Sequence, residues 1–542
     1  MNKASQASLL VSIADDCRLV HDSEGTTFAI VPSGAHFETH KLGSKGFRRW
    51  LSFKFYEEFG RSPGTQALQD AIATLEGKAS FEGPEVRIAL RVGGALDRIE
   101  IDLGNADWIP IVIDRNGWGL QQKARTTFRR TKGLLPMPPP VRGGSINELK
   151  PFLNLSEEHW RLIVGWLLGA LRPVGPYPVL CVHGEQGSSK STTCRLLRGL
   201  IDPNVAPLRS PPRNEQDLII AANNGWIVCL ENVSFIPDWL SDSLCRLATG
   251  GGFSSRELYS DGDEVLFNAQ RPVMLNGIEE SAGRSDLLDR GLLVSLPAIP
   301  EKARRTEAEL WANFDRIAGK VLGGLLDATA QAIKTFREVQ LESLPRMADF
   351  AIWLAAAETS LGWSPGTFDQ SYRQNRRGAD EQAIESSLVA IRVRDFMENR
   401  EEWLGTSSEL LDALNRDFPP DERRSRERSR DWPTKPHILS GKLRRLAPNL
   451  RRLGIEFRFD LPDRKLAIRT SSEWSVLSGE SVAESPEADA SDASDASLRT
   501  QSKSSGGCQS CGATLVESPT PDGWLNLDCP RCGRVAGCRK AN

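Results

Sequence analysis

The sequence predicts a multidomain α/β protein, and three observations carry that prediction. The chain has 542 residues, more than one hydrophobic core accommodates. An apolar strand pattern, Pro178 to His183, runs into a loop of small residues and then a helix, and two further apolar strand patterns follow at Trp226–Asn232 and Arg271–Gly277. Of ten cysteines, five are scattered before residue 250 and five crowd between Cys508 and Cys538. The first five, including Cys181 and Cys229 inside apolar runs, read as buried free thiols, whereas the cluster reads as a metal site.

Composition narrows the class. The hydrophobic share is 39%, the charged share 26% and the net charge −3, so any attraction to nucleic acid must come from local basic surface. The longest apolar run, Leu162 to Leu171, is about half of a membrane span. The N-terminus lacks a secretory pattern, which predicts a cytoplasmic protein with no membrane partner.

Residues 1–145 read as an α+β domain. Val86 to Asp102 alternates around Gly93-Gly94 as a hairpin does, Trp108–Trp118 adds a strand and turn, and Asp102, Asp107 and Asp114 read as turn and surface residues. The proline-rich Leu134–Pro140 marks a boundary. Ser156, Glu157 and Glu158 then start a helix that runs through Trp160 to Leu171. A nucleotide-binding domain is expected over 146–310, a helical region over 311–394, a basic domain over 395–470, a disordered linker over 471–506 and a cysteine domain over 507–542.

The loop Gly184, Glu185, Gln186, Gly187, Ser188, Ser189, Lys190, Ser191, followed by Thr192, has the spacing that wraps backbone N–H groups around phosphate oxygens of ATP. Lys190 would contact the outer phosphates and Ser191 would ligate Mg²⁺. Ser189 stands where a glycine usually precedes the lysine, and a small residue there requires a backbone outside the glycine region. Glu231, at the end of an apolar strand, would hold Mg²⁺ through water; Asn232 follows it. Asn276, ending the next strand, can orient the attacking water or sense the γ-phosphate. Fourteen residues later, Arg290 is the candidate for an arginine that stabilises charge on a neighbouring subunit's phosphate, with Arg284 as competitor and a surface salt bridge as the plainer reading of either.

This order of elements resembles the superfamily III branch of P-loop AAA+ ATPases, and more narrowly the primase-helicases of phages, plasmids and other mobile elements. The resemblance extends to IEIDLGNADW, GLLPMPPP and LPRMADFAIWLAAAE, and covers roughly residues 30–470. It implies an ATP-driven, ring-forming, hexameric helicase or translocase, working beside a separate primase or replication protein. It also implies that the hairpin in 249–264, with Arg256 and Tyr259, grips single-stranded DNA in the ring channel. The family's hairpin lysine is missing here. The alternative reading is an ATP-controlled DNA-binding switch, an initiator, regulator or defence ATPase, that hydrolyses ATP without unwinding.

Two further modules are expected. From Lys435 to Arg469 the chain has ten Lys/Arg against three acids. A helix capped by Ser440, with Leu443, Leu446 and Leu450 on one face and Lys442, Arg444, Arg445 and Arg451 around the rest, ends at Gly454 and precedes two short strands. Helix then hairpin predicts a winged helix that binds duplex DNA; packing of the helix on the ATPase is the competing reading. Cys508-x-x-Cys511 and Cys529-x-x-Cys532, separated by 17 residues, supply four thiolates for a zinc ribbon holding Zn²⁺, with Cys538 spare.

Overall fold

The structure is a computed structural model that describes residues 5–256, 264–267, 270–277, 285–385, 387–416, 432–470, 516–519, 524–528 and 535–540. It forms two units, 1–478 and 479–542. The first begins with α1 (Gln6–Ile13), β1 (Arg18–His21), β2 (Thr27–Ser33), β3 (His36–Lys41), α2 (Lys45–Phe59) and α3 (Thr65–Phe81). The strands pair antiparallel in the order β1-β2-β3, and the helices close over them around Leu10, Val31, Phe47, Leu51, Phe55 and Leu75. Ser44 caps α2 by accepting from the Phe47 N–H, and Gly60 ends it at φ 64, a left-handed turn that glycine adopts without a Cβ clash.

Next come β4 (Ile88–Ala89), β5 (Val92–Ala95), β6 (Arg98–Asp102), β7 (Pro110–Asp114), β8 (Gly117–Leu120) and β9 (Thr127–Phe128), of which β5 to β8 make an antiparallel meander. The hairpin expected here turns at Leu96-Asp97, not at Gly93-Gly94. Gly93 and Gly94 lie inside β5, paired with Glu100 and Ile99, and Gly94 must be glycine because a Cβ there would come 2.3 Å from the Arg98 carbonyl oxygen. Asp102 is likewise not a surface residue: it is buried and receives both the Nε and Nη2 of Arg130, at 2.9 and 2.7 Å. The proline-rich segment runs as a strap across α9 (Glu307–Thr335), where Gly319 and Gly323 let it approach. A Cβ on either would strike the Pro139 or Val141 carbonyl oxygen. The apolar side of the meander, Ile99, Ile101, Ile111 and Ile113, belongs to the same core as the strands described next.

Helix α4 (Glu157–Ala170) is capped by Ser156, which accepts from the His159 N–H, and leads to a parallel sheet. That sheet is built from β10 (Val179–Gly184), β11 (Val228–Leu230), β14 (Val273–Asn276) and β15 (Gly291–Leu296), in the order β11-β14-β10-β15. Successive strand residues face opposite sides. Leu180, Val182, Cys229, Met274, Leu292 and Val294 pack into the core that holds α4, α5 (Lys190–Ile201) and α9. Val179, Cys181, Val228, Leu230, Leu275 and Leu293 pack under α6 (Glu215–Asn223), α7 (Asp238–Thr249) and α8 (Ser285–Leu288). A sheet buried on both faces explains why these strands read as continuous apolar runs. Between β11 and β14, β12 (Phe253–Arg256) and β13 (Glu264–Phe267) form the expected antiparallel hairpin.

Helices α10 (Ala348–Ala357) and α11 (Thr367–Glu385) complete this core; Asn375 of α11 exchanges two hydrogen bonds with the Leu293 backbone of β15. A separate core gathers α12 (Leu388–Met397), β16 (Glu402–Thr406), α13 (Ser407–Arg416), α14 (Pro436–Arg452), β17 (Ile455–Leu461) and β18 (Lys465–Thr470). Its sheet is antiparallel in the order β16-β18-β17. Helix α14 starts at Pro436, whose fixed φ and missing N–H suit a first helical position, so Ser440 lies inside the helix and does not cap it. The second unit holds an antiparallel meander, β19 (Val516–Pro519), β20 (Trp524–Asp528) and β21 (Val535–Lys540).

Candidate nucleotide site and nucleic-acid surfaces

Parallel strands end on one edge of their sheet, and loops there collect ligands. The order β11-β14-β10 puts the strand ending in Asn276 between the one that enters the Lys190 loop and the one that leads to Glu231. Registers fix the alignment: Val182 lies opposite Asn276, and Leu230 opposite Leu275. Residues distant in sequence therefore meet at one edge.

The loop leaves β10 at Gly184, φ 143, where a Cβ would come 2.3 Å from the Leu296 carbonyl oxygen. Gly187 has φ 82. Ser189, contrary to the expectation that it avoids the glycine region, is left-handed at φ 62, ψ 31, immediately before the first residue of α5. The loop must turn so that the N–H groups opening α5 face inward, and this geometry holds whichever small residue occupies the position. A non-glycine residue carries strain of about 1–2 kcal/mol there. Lys190 Nζ donates to the carbonyls of Gly184 and Glu185, at 2.6 and 2.8 Å, which folds the cation over its own loop. The Ser188 hydroxyl is buried without a partner among the described residues.

Asn232 is also left-handed, φ 54, a conformation that asparagine tolerates better than most residues. Its N–H donates to Asn276 Oδ1 at 2.9 Å, and the Val233 N–H donates to the Asn276 carbonyl, also at 2.9 Å. Asn276 is buried, with its Oδ1 taken and its Nδ2 unpartnered among the described residues. Gly277 is required beside it, since a Cβ would lie 2.1 Å from the Val233 carbonyl oxygen. Behind this edge, Cys194 of α5 and Cys229 of β11 are buried free thiols. Their mutual contact and burial push the Cys194 thiol well above its ordinary range; burial and Cys245 push Cys181 up to about 12. Neither is a nucleophile at neutral pH.

Arg290 sits before β15, and its carbonyl accepts from the Val179 N–H at the start of β10. The loop begins at the other end of β10, five residues on, or about 16 Å at strand rise. Arg290 is therefore on the edge opposite its own phosphate loop. Sequence reasoning missed Arg304. A Cβ on Gly187 would come within 3.8 Å of Arg304 Nη2, and this guanidinium has no partner among the described residues. The basic run Lys302, Arg304, Arg305, a few residues beyond β15 of the parallel sheet, was the available signal.

On α14, Leu443 and Leu450 are buried and Leu446 packs against the same core, while Arg444, Arg445 and Arg451 are exposed. Arg444 is engaged, 2.5 Å from Asp460 and stacked over the Phe459 ring at 4.6 Å. The last turn of α14 docks on the sheet domain: Asn449 Nδ2 and Arg452 Nη1 each donate to Asp380 at 2.8 Å. For the hairpin, Arg256 pairs in register with Glu264; Tyr259 lies outside the described residues. So do Arg284 and the cysteines 508, 511, 529 and 532. Among the described residues no group of three or more His, Cys, Asp and Glu could hold a metal, and no helix is long and apolar enough to cross a membrane.

No curated protein matches the chain in sequence. Among solved structures it is similar to the NrS-1 C-terminal region, with TM-score 0.38 and 11% identity over 86% of this chain and 100% of that one. It is also similar to a structure described as SCCmec type IV Cch, active helicase, with TM-score 0.43 and 11% identity over 85% of this chain and 94% of that one. Residues 146–375 match the family of the actinomycete integrative conjugative element replication protein, and residues 389–484 match the C-terminal domain of the same family, RepA.

Proposed function

We propose that the chain is an ATP-hydrolysing, ring-forming DNA helicase or translocase that serves replication of a mobile element. The observation that carries this reading is the pair of unsatisfied buried donors, Ser188 Oγ and Asn276 Nδ2, at the strand edge where the Lys190 loop, Glu231 and Asn276 converge. Buried polar groups without partners are rare, and a phosphate chain with its attacking water would satisfy both. The match to the family of a replication protein supports the cellular role.

In this reading Gly184 to Thr192 surround the triphosphate through backbone N–H groups, with Lys190 leaving the Gly184 and Glu185 carbonyls for the outer phosphates. Ser191 and Glu231 would hold Mg²⁺, which neutralises phosphate charge when bound. Glu231 takes the proton of the attacking water, because the carboxamide of Asn232 beside it is not basic enough to do so. Asn276 Nδ2 orients that water, and Arg304 adds a cation in cis. Arg290 serves a neighbouring subunit, because its own loop is on the far edge. The expected boundaries 145/146, 310/311 and 394/395 shift, because the β5–β8 meander and α9 share the core of the parallel sheet and α12 joins the core of β16 to β18; the boundaries 470/471 and 506/507 stay. The domain that begins at α12 is a winged helix, and Cys508, Cys511, Cys529 and Cys532 hold Zn²⁺ in 507–542.

A DNA-stimulated ATPase measurement beside strand displacement tests the proposal. Wild type should hydrolyse ATP faster with DNA and separate strands; Lys190→Ala should do neither, and Glu231→Gln should bind ATP without turnover. Stimulated hydrolysis with no strand separation would favour the ATP-controlled switch, and unchanged hydrolysis in both variants would remove the ATP reading.

A further inference from the structure

We propose that the outer face of α2 is a binding site for single-stranded DNA, separate from the nucleotide edge and from α14. Lys45, Arg49, Phe53 and Tyr56 follow one another at helical spacings of four, four and three, so they form one stripe. Phe47, Leu51 and Phe55, on the other side of the helix, are fully buried, which fixes the stripe outward. Phe53 and Tyr56 are 56% and 55% exposed, although the core beneath is closed without them. Two neighbouring bare aromatic rings on a helix are a stacking surface, and every base offers a face to stack.

The charges on α2 run against its stability. The positive end of a helix favours acids and the negative end favours bases. Here the first turns hold Lys45, Arg48 and Arg49 with no acid, and the last turn holds Glu57 and Glu58 with no base. Lys45 and Arg49 have no carboxylate partner among the described residues. Glu57 is compensated by Lys54, 2.8 Å away, but the cationic end has no such partner among the described residues, and an uncompensated violation of local electrostatics points to an external ligand. A polyanion satisfies it, since its phosphates would meet both side chains. The order along the stripe, cations then rings, matches a strand that offers phosphates and unstacked bases together. Duplex DNA keeps its bases stacked inside and cannot use the rings. The alternative occupants, a second copy or another protein, would use the rings but leave the cations unmatched.

The test uses the full chain and a labelled oligothymidylate beside a duplex of the same length, with binding read by fluorescence anisotropy. Phe53→Ala with Tyr56→Ala should weaken single-strand binding by about tenfold or more, and leave duplex binding and thermal unfolding unchanged. Lys45→Ala with Arg49→Ala should lower the salt slope on the single strand by about 1.4, or about 0.7 for each phosphate contact. A photoreactive thymine should crosslink within residues 45–56. Single-strand affinity within about twofold of wild type in both double variants, with no crosslink in this segment, would overturn the proposal. So would a change of oligomeric mass in the aromatic variant without loss of single-strand binding, which would make the stripe a protein interface.

Discussion

Arg452, in the last turn of α14, places Nη2 2.5 Å from Oδ1 of Asp289, the residue directly before Arg290. Asp289 is buried and also receives Arg376 of α11 at 2.5 Å and Arg346 from the segment before α10. Three guanidinium groups from three parts of the chain thus converge on one carboxylate, and one of them belongs to the C-terminal helical domain. Removing the shared carboxylate leaves Arg376, 14% exposed, without its partner, whereas Arg346 and Arg452, 44% and 40% exposed, stay solvated. Losing the partner of one mostly buried donor costs about 1–3 kcal/mol, so Asp289→Ala should destabilise the protein by about 2 kcal/mol in denaturant titration. Arg452→Ala, whose side chain is 40% exposed, should cost about 1 kcal/mol or less. Equal losses from the two variants would show that the carboxylate is not the hub.

Ser189 offers a test of the loop's backbone. Ser189→Gly removes left-handed strain but frees the unfolded chain, so the net gain should be about 0.5–1 kcal/mol with nucleotide binding kept. Ser189→Val, β-branched in a left-handed position, should lose nucleotide binding. Equal affinity for ATP in both variants, measured by calorimetry, would contradict the φ 62 conformation.

Arg290 cannot reach its own loop across the sheet, so any catalytic role acts on a neighbour. Arg290→Ala should reduce hydrolysis by on the order of 10³-fold while ATP binding persists. Mixing Arg290→Ala with Lys190→Ala subunits should restore activity, because some interfaces then join an intact loop to an intact arginine. A mixture that forms rings and stays inactive would exclude the trans role.

On α14, duplex binding should depend on the exposed Arg445 more than on Arg444, which Asp460 and Phe459 already engage. Arg445→Ala should lower the salt slope on duplex DNA by about 0.9, one phosphate contact. Arg444→Ala should change it by less than half a contact. An unchanged slope in Arg445→Ala would mean that this face of α14 does not meet DNA.

The purified protein should carry about one zinc per chain. Cys511→Ser with Cys529→Ser should release it and leave ATP hydrolysis intact. Zinc-free protein prepared without chelators, measured by elemental analysis, would rule the ribbon out.

The sequence by itself determined the elements whose signals are local. Strand-loop-helix spacing around Lys190, the acidic end of β11, the cap at Ser156 and the helix-hairpin order after Lys435 depend on neighbours within a few residues, where propensity and periodicity operate. The tertiary structure alone decided what depends on close approach of distant segments. Gly93 and Gly94 look like a turn but are strand residues, Gly93 pressed against Ala89 and Thr126 and Gly94 against the Arg98 backbone. Asp102 looks like a surface acid but is buried under Arg130. Ser189 is left-handed because the loop must aim the opening N–H groups of α5. The Asp289 cluster joins residues as far apart as 163 positions, and no local pattern encodes such a meeting. Side-chain spacing along one element is a property of the chain, whereas which backbone or charge lies opposite it is fixed only when the cores close.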